Sequence, residues 1–388
     1  MSRDCPVCGC AQKRQLYVQN FRNNEISLME KYNVAVCKKC GFIYADNIPP
    51  QAEFDNYYAR MSKYEFNNNS GAVPAENMAH FRKIVNFLIP HIKHPCAKIL
   101  DIGCSTGALL SVLKTRGYRD LEGIDPSPSC AKAAKKIYGI NVTSNNIASY
   151  KGKEKFGLVI LSSVFEHLVD LKAPMQKIHN LLDENGLVFL EVPDTERFDK
   201  YIYPPFQQFS IEHINYFSRY SIGNLASRFS FSIAAVKRNE NKARKNIDPV
   251  LFVLLKKTGK SDIKTVKDNI SARKIKSYIA GCSKLDLRVR RAIHSKLSGR
   301  NKIIVWGAGT HTQRLIGSAL DLSKISFFVD SNLRYAGKKL RGISIKPPAE
   351  IRGESLPILV STYGYQEEII RQIRRVFKLK NEIISIYQ

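Results

Sequence analysis

The chain has 388 residues, of which 44% are hydrophobic and 24% are charged, and its formal net charge is +27. Its length predicts two or three domains, and its composition is that of a soluble globular protein. It contains no unbroken apolar run of about 18 residues, so no transmembrane helix is predicted. Residues 1–6 have no apolar signal core, which predicts a cytoplasmic protein.

The positive charge is densest between Lys237 and Arg300. Binding to nucleic acid requires many Lys and Arg side chains to neutralise phosphates. A phosphorylated small substrate or anionic lipid headgroups would attract the same charge. No nucleic-acid recognition motif accompanies the charge, so we disfavour nucleic acid as a partner. Peripheral association with a membrane stays open.

The N-terminal segment carries two Cys-x-x-Cys pairs, each followed by glycine. Two tight turns of this kind can present four thiolates to one tetrahedral zinc ion, and the glycines let the backbone turn sharply. We therefore predict a zinc ribbon with short strands at 17–18 and 34–37. Its structural Zn²⁺ would be held by Cys5, Cys8, Cys37 and Cys40, with Cys10 as an extra cysteine.

Residues 47–78 are rich in Asn, Tyr and Pro, and no hydrophobic period dominates them. This stretch is interpreted either as a lid whose tyrosines reach an active site or as ordinary surface packing.

A strand, a glycine turn and the start of a helix are predicted over residues 98–110. The turn contains Gly103 and Gly107, and its backbone N–H groups can approach a polar ligand closely. A second short strand, at 121–124, leads to Asp125, about twenty residues past the turn, where a carboxylate can accept hydrogen bonds from ribose hydroxyls. Asp101 precedes the first glycine, where dinucleotide-binding folds usually have an apolar residue.

The following sequence alternates strands and helices. We predict helices at 75–91, at 107–116 and after Ser127, and strands at 141–143, 156–161 and 187–192, the last after a turn at 183–186. This alternation predicts a doubly wound parallel sheet that binds its ligand at the carboxyl ends of the strands.

The sequence Asp-Ile-Gly-Cys-Ser-Thr-Gly at 101–107, followed by Gly-Ile-Asp at 123–125, resembles class I S-adenosylmethionine-dependent methyltransferases. Ser105 stands where a middle glycine is frequent. The resemblance implies an α/β fold with a Rossmann-like methyltransferase core that binds S-adenosylmethionine. The cofactor contacts that it implies are Asp101, Gly103, Cys104, Ser105, Gly107, Asp125, Pro126, Asn146, Ile147 and Ser162.

Glu212 and His213 lie among aromatic residues in the loop after the fifth strand. An adjacent Glu and His can supply a general base and a group that sets its protonation. The alternative is a histidine that caps or packs against a helix beginning near Ser218 or Ser221. His167, at the end of the fourth strand, is either an active-site residue or part of a helix start.

The C-terminal part begins with a basic helical stretch at 262–299, interpreted as a linker helix or a helical pair. A second strand–glycine turn–helix follows, with Gly307 and Gly309 in the turn, and further strands are predicted at 325–330 and 358–362. Thr312 replaces the third glycine of the dinucleotide fingerprint, which weakens the case for NAD. This unit either binds a nucleotide portion of the substrate or is purely structural.

The order of zinc ribbon, methyltransferase core, Glu-His loop, helical linker and glycine-turn unit resembles three-domain sugar C-methyltransferases. The resemblance implies four segments: ribbon and lid at 1–75, methyltransferase core at 76–258, basic linker at 259–300 and Rossmann-like domain at 301–388. It implies C-methylation of a nucleotide-linked 4-keto deoxysugar, with the flanking domains helping to hold that substrate. The catalytic residues that it implies are His213 as base, Glu212, His167 and a lid tyrosine, either Tyr64 or Tyr58.

Two departures from that family leave alternatives open. Ser210 stands where the family often has a tyrosine, and residues 246–252 lack a His-Gly-Gly segment. An O- or N-methyltransferase of a related sugar precursor would share this architecture. An RNA methyltransferase would account for the charge and the ribbon, but the second glycine turn disfavours it, and a non-catalytic scaffold is a further alternative. We expect a small-molecule substrate and a monomer or weak homo-oligomer.

Overall fold

A computed structural model describes residues 2–21, 28–60, 73–243, 245–259, 264–316, 318–332 and 335–387. The strands of these segments, in chain order, are β1 (Lys13–Asn20), β2 (Lys31–Cys37), β3 (Ile43–Asp46), β4 (Ile99–Ile102), β5 (Leu121–Asp125), β6 (Val142–Ser144), β7 (Phe156–Ser162), β8 (Leu182–Pro193), β9 (Asn215–Tyr216), β10 (Phe231–Ala243), β11 (Asn246–Lys257), β12 (Ile303–Trp306), β13 (Ile325–Val329), β14 (Lys339–Leu340), β15 (Ile343–Lys346), β16 (Ile358–Val360) and β17 (Ile383–Ser385).

The helices of the same segments are α1 (Gln51–Arg60), α2 (Ala75–Leu88), α3 (Ala108–Thr115), α4 (Pro128–Tyr138), α5 (Lys172–Leu181), α6 (Arg219–Arg228), α7 (Ser271–Leu297), α8 (Thr310–Ile316) and α9 (Gln366–Arg371). Short 3₁₀ turns include Ile89–His91, Phe165–His167 and Thr195–Lys200. None of these described helices combines the length and apolar composition that crossing a bilayer requires.

The described strands form three sheets. The central sheet has the order β10-β11-β8-β7-β4-β5-β6, in which β4 to β8 run parallel and β11 is antiparallel to both of its neighbours. The C-terminal sheet has the order β14-β15-β13-β12-β16-β17 and is parallel except for the β14–β15 pair. The predicted α/β fold is confirmed, with an antiparallel hairpin added at one edge of the central sheet.

The inner strands of the central sheet are buried because helices cover both faces. All four residues of β4 are buried, and so are five of the seven residues of β7. Buried apolar side chains of α2 and α3 pack on one face, and those of α5 and α6 pack on the other. Residues 183–186, predicted as a turn, lie within the bounds of β8 but pair with neither β7 nor β11: the register jumps from Phe156–Leu182 to Leu158–Leu187, so they form a bulge before the predicted strand at 187–192.

Helix α1 lies in a stretch for which the sequence predicts no regular structure. Its side chains are mostly polar or exposed, and Phe54 is its fully buried apolar anchor. A helix with so narrow an apolar face gives little hydrophobic periodicity, which explains why the pattern did not reveal it.

Helix α7 is one continuous helix, so the alternative of a helical pair is wrong. Its buried residues recur every three or four positions from Ile275 to Leu297. The first half, through Cys282, packs with the ribbon, and the second half, from Leu285, packs on the C-terminal sheet. Leu287 lies off this buried stripe and is 53% exposed.

The N-terminal ribbon is an antiparallel sheet of β1, β2 and β3 that is extended by β9 from far along the chain. The turn of its second cysteine pair touches the start of α7, since Asp268 donates its N–H to the Cys40 carbonyl at 2.9 Å. The buried Asp268 carboxylate accepts hydrogen bonds from the backbone N–H of Ser271 and from the hydroxyl of Ser218. One residue, Asp268, therefore joins the second cysteine turn, α6 and α7 through its backbone N–H and its carboxylate.

Replacing Gly41 by alanine should destabilise the fold by about 2–4 kcal/mol. Gly41 has φ of +78°, and a Cβ there would lie 2.2 Å from the Asp268 carbonyl oxygen, so the cost combines a left-handed backbone with overpacking. Gly117→Ala is the matched control because Gly117 has φ of +94° and no atom within 4 Å of its added Cβ. Chemical denaturation of both variants checks this, and equal losses of unfolding free energy would contradict the steric argument.

Candidate active site and metal centre

The four cysteines of the two Cys-x-x-Cys pairs converge on one point. Their sulfurs form a group close enough to share a metal ion, with Sγ–Sγ distances of 3.5 Å for both Cys5–Cys40 and Cys8–Cys37. A tetrahedral zinc with Zn–S bonds of about 2.3 Å requires sulfurs about 3.8 Å apart. The donor set and spacing therefore fit Zn²⁺, which these four residues would hold.

Backbone hydrogen bonds close the turns of both cysteine pairs. Gly9 donates to the Cys5 carbonyl at 2.8 Å, and Gly41 donates to the Cys37 carbonyl at 3.0 Å. The Phe42 N–H points at the Cys40 sulfur at 3.5 Å. Cys10 lies outside the four-sulfur group, with its sulfur 3.8 Å from the Gln12 carbonyl oxygen.

The first glycine turn lies at the carboxyl end of β4. Gly103 has φ of +72° and donates its N–H to the Ile124 carbonyl at 2.8 Å. A Cβ at Gly103 would lie 2.7 Å from the side chain of Val164, so glycine is required there. Gly107, with φ of +74°, is the N-cap of α3.

The Asp125 carboxylate is fixed beside this turn. It accepts hydrogen bonds from the backbone N–H groups of Ser105 at 2.8 Å and Ser127 at 2.9 Å. Asp101 lies beneath and is 2% exposed. Burial raises the pKa of Asp101 well above its usual range, and the nearby Asp125 raises it further. The carboxyl groups of Asp101 and Asp125 therefore lie close to each other beside the glycine turn.

The remaining predicted cofactor residues lie at the same edge of the sheet. Asn146 and the buried Ile147 follow β6, and Ser162 ends β7, where its hydroxyl donates to Glu191 at 2.5 Å. Cys104 is buried within the glycine turn, and Pro126 follows β5. The structure thus brings the predicted cofactor residues together at the carboxyl ends of β4, β5, β6 and β7.

Helix α1 covers this edge. At its start, the Gln51 side chain accepts a hydrogen bond from the Val169 N–H at 2.8 Å. Asp55 lies 3.5 Å from the side-chain nitrogen of Asn146, on the side of the glycine turn. Further along, Tyr57 donates to the Glu212 carboxylate at 2.9 Å. The helix therefore bridges the glycine-turn side and the Glu-His loop.

The predicted acceptor residues form one cluster. The rings of His167 and His213 lie edge to face with centroids 5.0 Å apart. The Tyr58 hydroxyl lies 2.9 Å from His167 Nδ1, which is also 3.0 Å from the Glu212 carbonyl oxygen. Of the two lid candidates, Tyr58 is placed in this cluster, whereas Tyr64 lies outside the described residues.

Two residues of the cluster were missed by the sequence analysis. Tyr57 is half-buried next to Glu212, and desolvation, followed by that carboxylate, raises the pKa of the phenol. Glu166 is fully buried beside His167, and burial raises the pKa of its carboxyl to about 8. The Tyr-Tyr pair at 57–58 was the available signal for the first residue. No sequence feature pointed to Glu166, because the residues around it also fit the start of a helix.

The second glycine turn repeats the architecture of the first. Gly307 donates to the Val329 carbonyl at 2.7 Å, as Gly103 does to Ile124. Asp330, at the end of β13, accepts from the N–H groups of Ala308 and Asn332, both at 2.8 Å. Tyr335, a few residues further on, lies close enough to Tyr57 to affect the pKa of its phenol. The second turn is therefore on the same side of the molecule as the Glu-His loop.

Comparison with protein families gives two matches. Residues 58–236 match a family model described as a methyltransferase domain. This segment has a class I methyltransferase fold. Residues 299–384 match a model described as C2185-like, N-terminal.

Two curated proteins are similar to parts of the chain. A C-methyltransferase, NovU of Streptomyces niveus, is 26% identical over 205 residues, which are 51% of this chain and 45% of that protein. A ubiquinone biosynthesis O-methyltransferase of Bradyrhizobium diazoefficiens is 31% identical over 96 residues, 24% of this chain and 38% of that protein. The chain thus spans less than half the length of either relative.

Solved structures resemble about half of the chain. Magnesium protoporphyrin IX methyltransferase from Synechocystis PCC 6803 with bound SAM has 14% identity and a TM-score of 0.40, and the match covers 54% of this chain and 97% of that one. The N-methyltransferase NodS from Bradyrhizobium japonicum WM9, in complex with S-adenosyl-L-homocysteine, has 14% identity and a TM-score of 0.40, with 52% and 97% covered.

The purified protein should contain one zinc ion per chain. Cys8→Ser should lose most of it, because a structural zinc site needs four protein ligands. Cys10→Ser is the matched control, since it removes a neighbouring thiol outside the four-sulfur group, and it should retain the metal. Metal analysis of both variants checks this. Loss of zinc from Cys10→Ser but not from Cys8→Ser would mean that Cys10, and not Cys8, is a zinc ligand.

Proposed function

We propose that this protein is an S-adenosylmethionine-dependent methyltransferase that methylates carbon in a nucleotide-linked 4-keto deoxysugar. The observation that carries the proposal is the bridge made by helix α1. The helix reaches the glycine-turn side through Asp55 and Asn146, and it contacts the Glu-His cluster through Tyr57 and Tyr58. One short element therefore contacts both the glycine-turn side of the sheet edge and an ionisable cluster.

The cofactor side offers the groups that S-adenosylmethionine needs. Backbone N–H groups of the turn at Gly103 and the N-terminus of α3 suit its polar amino-acid end. Asp125 is held at the end of β5, where it can accept from ribose hydroxyls. Asn146 and Ile147 would lie along the adenine. When bound, this cofactor supplies an electrophilic methyl group, and the surrounding residues supply alignment.

The acceptor side needs a base, because a carbon beside a ketone becomes nucleophilic only after it loses a proton. His213 is our candidate for this base. Glu212, hydrogen-bonded to Tyr57, and His167, hydrogen-bonded to Tyr58, would hold the acceptor and orient the imidazole. The similarity to a C-methyltransferase over half of the chain supports carbon as the acceptor atom.

The C-terminal unit is proposed to bind the nucleotide part of the substrate. Its glycine turn copies the carboxylate-to-amide arrangement of the first turn, with Asp330 in place of Asp125. Tyr335 places this turn near Tyr57 and therefore near the proposed acceptor cluster. A substrate with a sugar at one end and a nucleotide at the other would fit such a pair of sites.

A second candidate is O-methylation of a related sugar precursor. The O-methyltransferase relative matches a quarter of the chain, and a hydroxyl acceptor would use the same base. The two candidates differ in whether a C–H bond is broken, which isotope exchange measures directly.

Asp125→Ala should weaken S-adenosylmethionine binding about tenfold to 150-fold. Hydrogen bonds to a charged group contribute about 1.5–3 kcal/mol, and removal of this carboxylate also frees the Ser105 amide that it holds. Asp330→Ala, the equivalent change in the second turn, should leave cofactor affinity unchanged. Calorimetric titration of both variants checks this. Equal weakening would mean that the two turns do not have separate ligands.

The protein should exchange the hydrogen beside the ketone when it is incubated with nucleotide-linked 4-keto sugars in deuterated water. His213→Asn should slow this exchange at least 100-fold, because general-base catalysis contributes about 10²–10⁴-fold. His294→Asn, at an exposed histidine of α7, is the control and should exchange at the wild-type rate.

Mass spectrometry of the exchanged sugars and of the methylated products provides the readout. An unchanged exchange rate in His213→Asn would show that another residue acts as the base. Absence of exchange in the wild-type protein, together with a methyl group on oxygen, would replace the C-methyltransferase proposal by the O-methyltransferase alternative.

A further inference from the structure

A second group of metal-binding residue types lies away from the four cysteines. Glu166, His167 and His213 each place one ligand atom within 4.8 Å of the other two. Glu166 and His167 come from the 3₁₀ turn after β7, and His213 comes from the loop before β9. The Ile214 N–H donates to the Glu166 carbonyl at 2.8 Å, which fixes the two segments against each other.

The Glu166 carboxylate is deeply buried and lacks a full set of donors. Its side chain is 1% exposed, and its Oε2 accepts no hydrogen bond from the described part of the chain. Its Oε1 lies 3.9 Å from His167 Nε2. A buried carboxylate is stable as an anion only if it has a cation or donors nearby. Glu166 Oε2 is therefore a hydrogen-bond acceptor for which the described residues provide no donor.

The orientation of His167 suits a ligand. Its Nδ1 lies 3.0 Å from the Glu212 carbonyl oxygen, which can only accept a hydrogen bond. This contact favours the ring proton on Nδ1, with the Tyr58 hydroxyl, 2.9 Å from the same nitrogen, acting as a second acceptor, so that Nε2, which lies 3.9 Å from Glu166 Oε1, carries the lone pair. Metal-binding histidines are typically held this way, with the second ring nitrogen donating to a carbonyl.

We propose that Glu166, His167 and His213 form a second divalent-cation site for a metal that prefers nitrogen and oxygen ligands. Such a set, with two imidazoles and one carboxylate, suits Zn²⁺ or Co²⁺. Metal–ligand bonds of about 2.1 Å in a tetrahedron require ligand atoms about 3.4 Å apart. The existing separations, 3.9 Å for the Glu166–His167 pair and within 4.8 Å overall, need a modest contraction.

The consequence for activity rests on the proposed function. A metal ion bound to His213 would occupy the lone pair that the base needs. Metal bound at this second site, beyond the structural zinc, therefore inhibits the enzyme because it prevents His213 from removing the proton.

The test is a Co²⁺ titration of full-length protein whose cysteine site has been loaded with one equivalent of zinc. We expect one further Co²⁺ per chain by equilibrium dialysis, with cobalt d–d absorption and no thiolate-to-cobalt charge-transfer band. Glu166→Gln and His213→Asn should each weaken this binding at least tenfold. His94→Asn, at an exposed histidine, is the control and should bind as wild type does.

Circular dichroism and zinc content confirm that each variant is folded. The proposal is overturned if wild-type protein takes up no further Co²⁺, if both ligand variants bind as tightly as wild type, or if uptake appears only as thiolate charge transfer. Isotope exchange with and without Co²⁺ then tests inhibition. Co²⁺ binding with undiminished exchange would refute the switch, whereas exchange absent at all metal concentrations would refute the proposed reaction and leave the binding result standing.

Discussion

The two-residue pairing of β9 with β3 is the contact on which the candidate site depends. The loop with Glu212 and His213 has little regular structure before it joins the ribbon at Asn215 and Tyr216. The buried Arg3 guanidinium reinforces this junction by donating to the carbonyls of Ala45 at 3.1 Å and Val169 at 2.6 Å. Burial lowers the pKa of Arg3 to about 10, which still leaves it protonated at neutral pH.

Asn215 extends this junction to the other half of the cluster. Its side-chain amide accepts from Arg3 at 3.2 Å and donates to the carbonyls of Phe165 at 2.9 Å and Leu168 at 2.7 Å. The 3₁₀ turn with Glu166 and His167 is thereby held to the ribbon as well. These hydrogen bonds connect the cysteine ribbon to the histidine cluster. Binding of a structural zinc contributes directly to folding free energy, so zinc held by the four cysteines would also stabilise the cluster.

The sequence predicted the features that depend on local chemistry. Cysteine spacing identified the four cysteines whose sulfurs converge, and the glycine turns followed by Asp125 and Asp330 identified both strand–turn–helix units, because each needs particular residue types at fixed separations. It did not reveal the partner of β3, since a two-residue edge strand has no periodicity of its own. Nor did it reveal Tyr57 and Glu166, which contact residues more than forty positions away in the chain, Tyr57 at Glu212 and Glu166 at Ile214.

Helix α7 gives the molecule a fixed internal distance. Its 27 residues span about 40 Å at about 1.5 Å per residue. Asp268 anchors its beginning to the metal turn, and the Lys296 ammonium donates to the Ser385 carbonyl near its end. One continuous helix thus acts as a spacer that sets the distance between the ribbon and the C-terminal sheet.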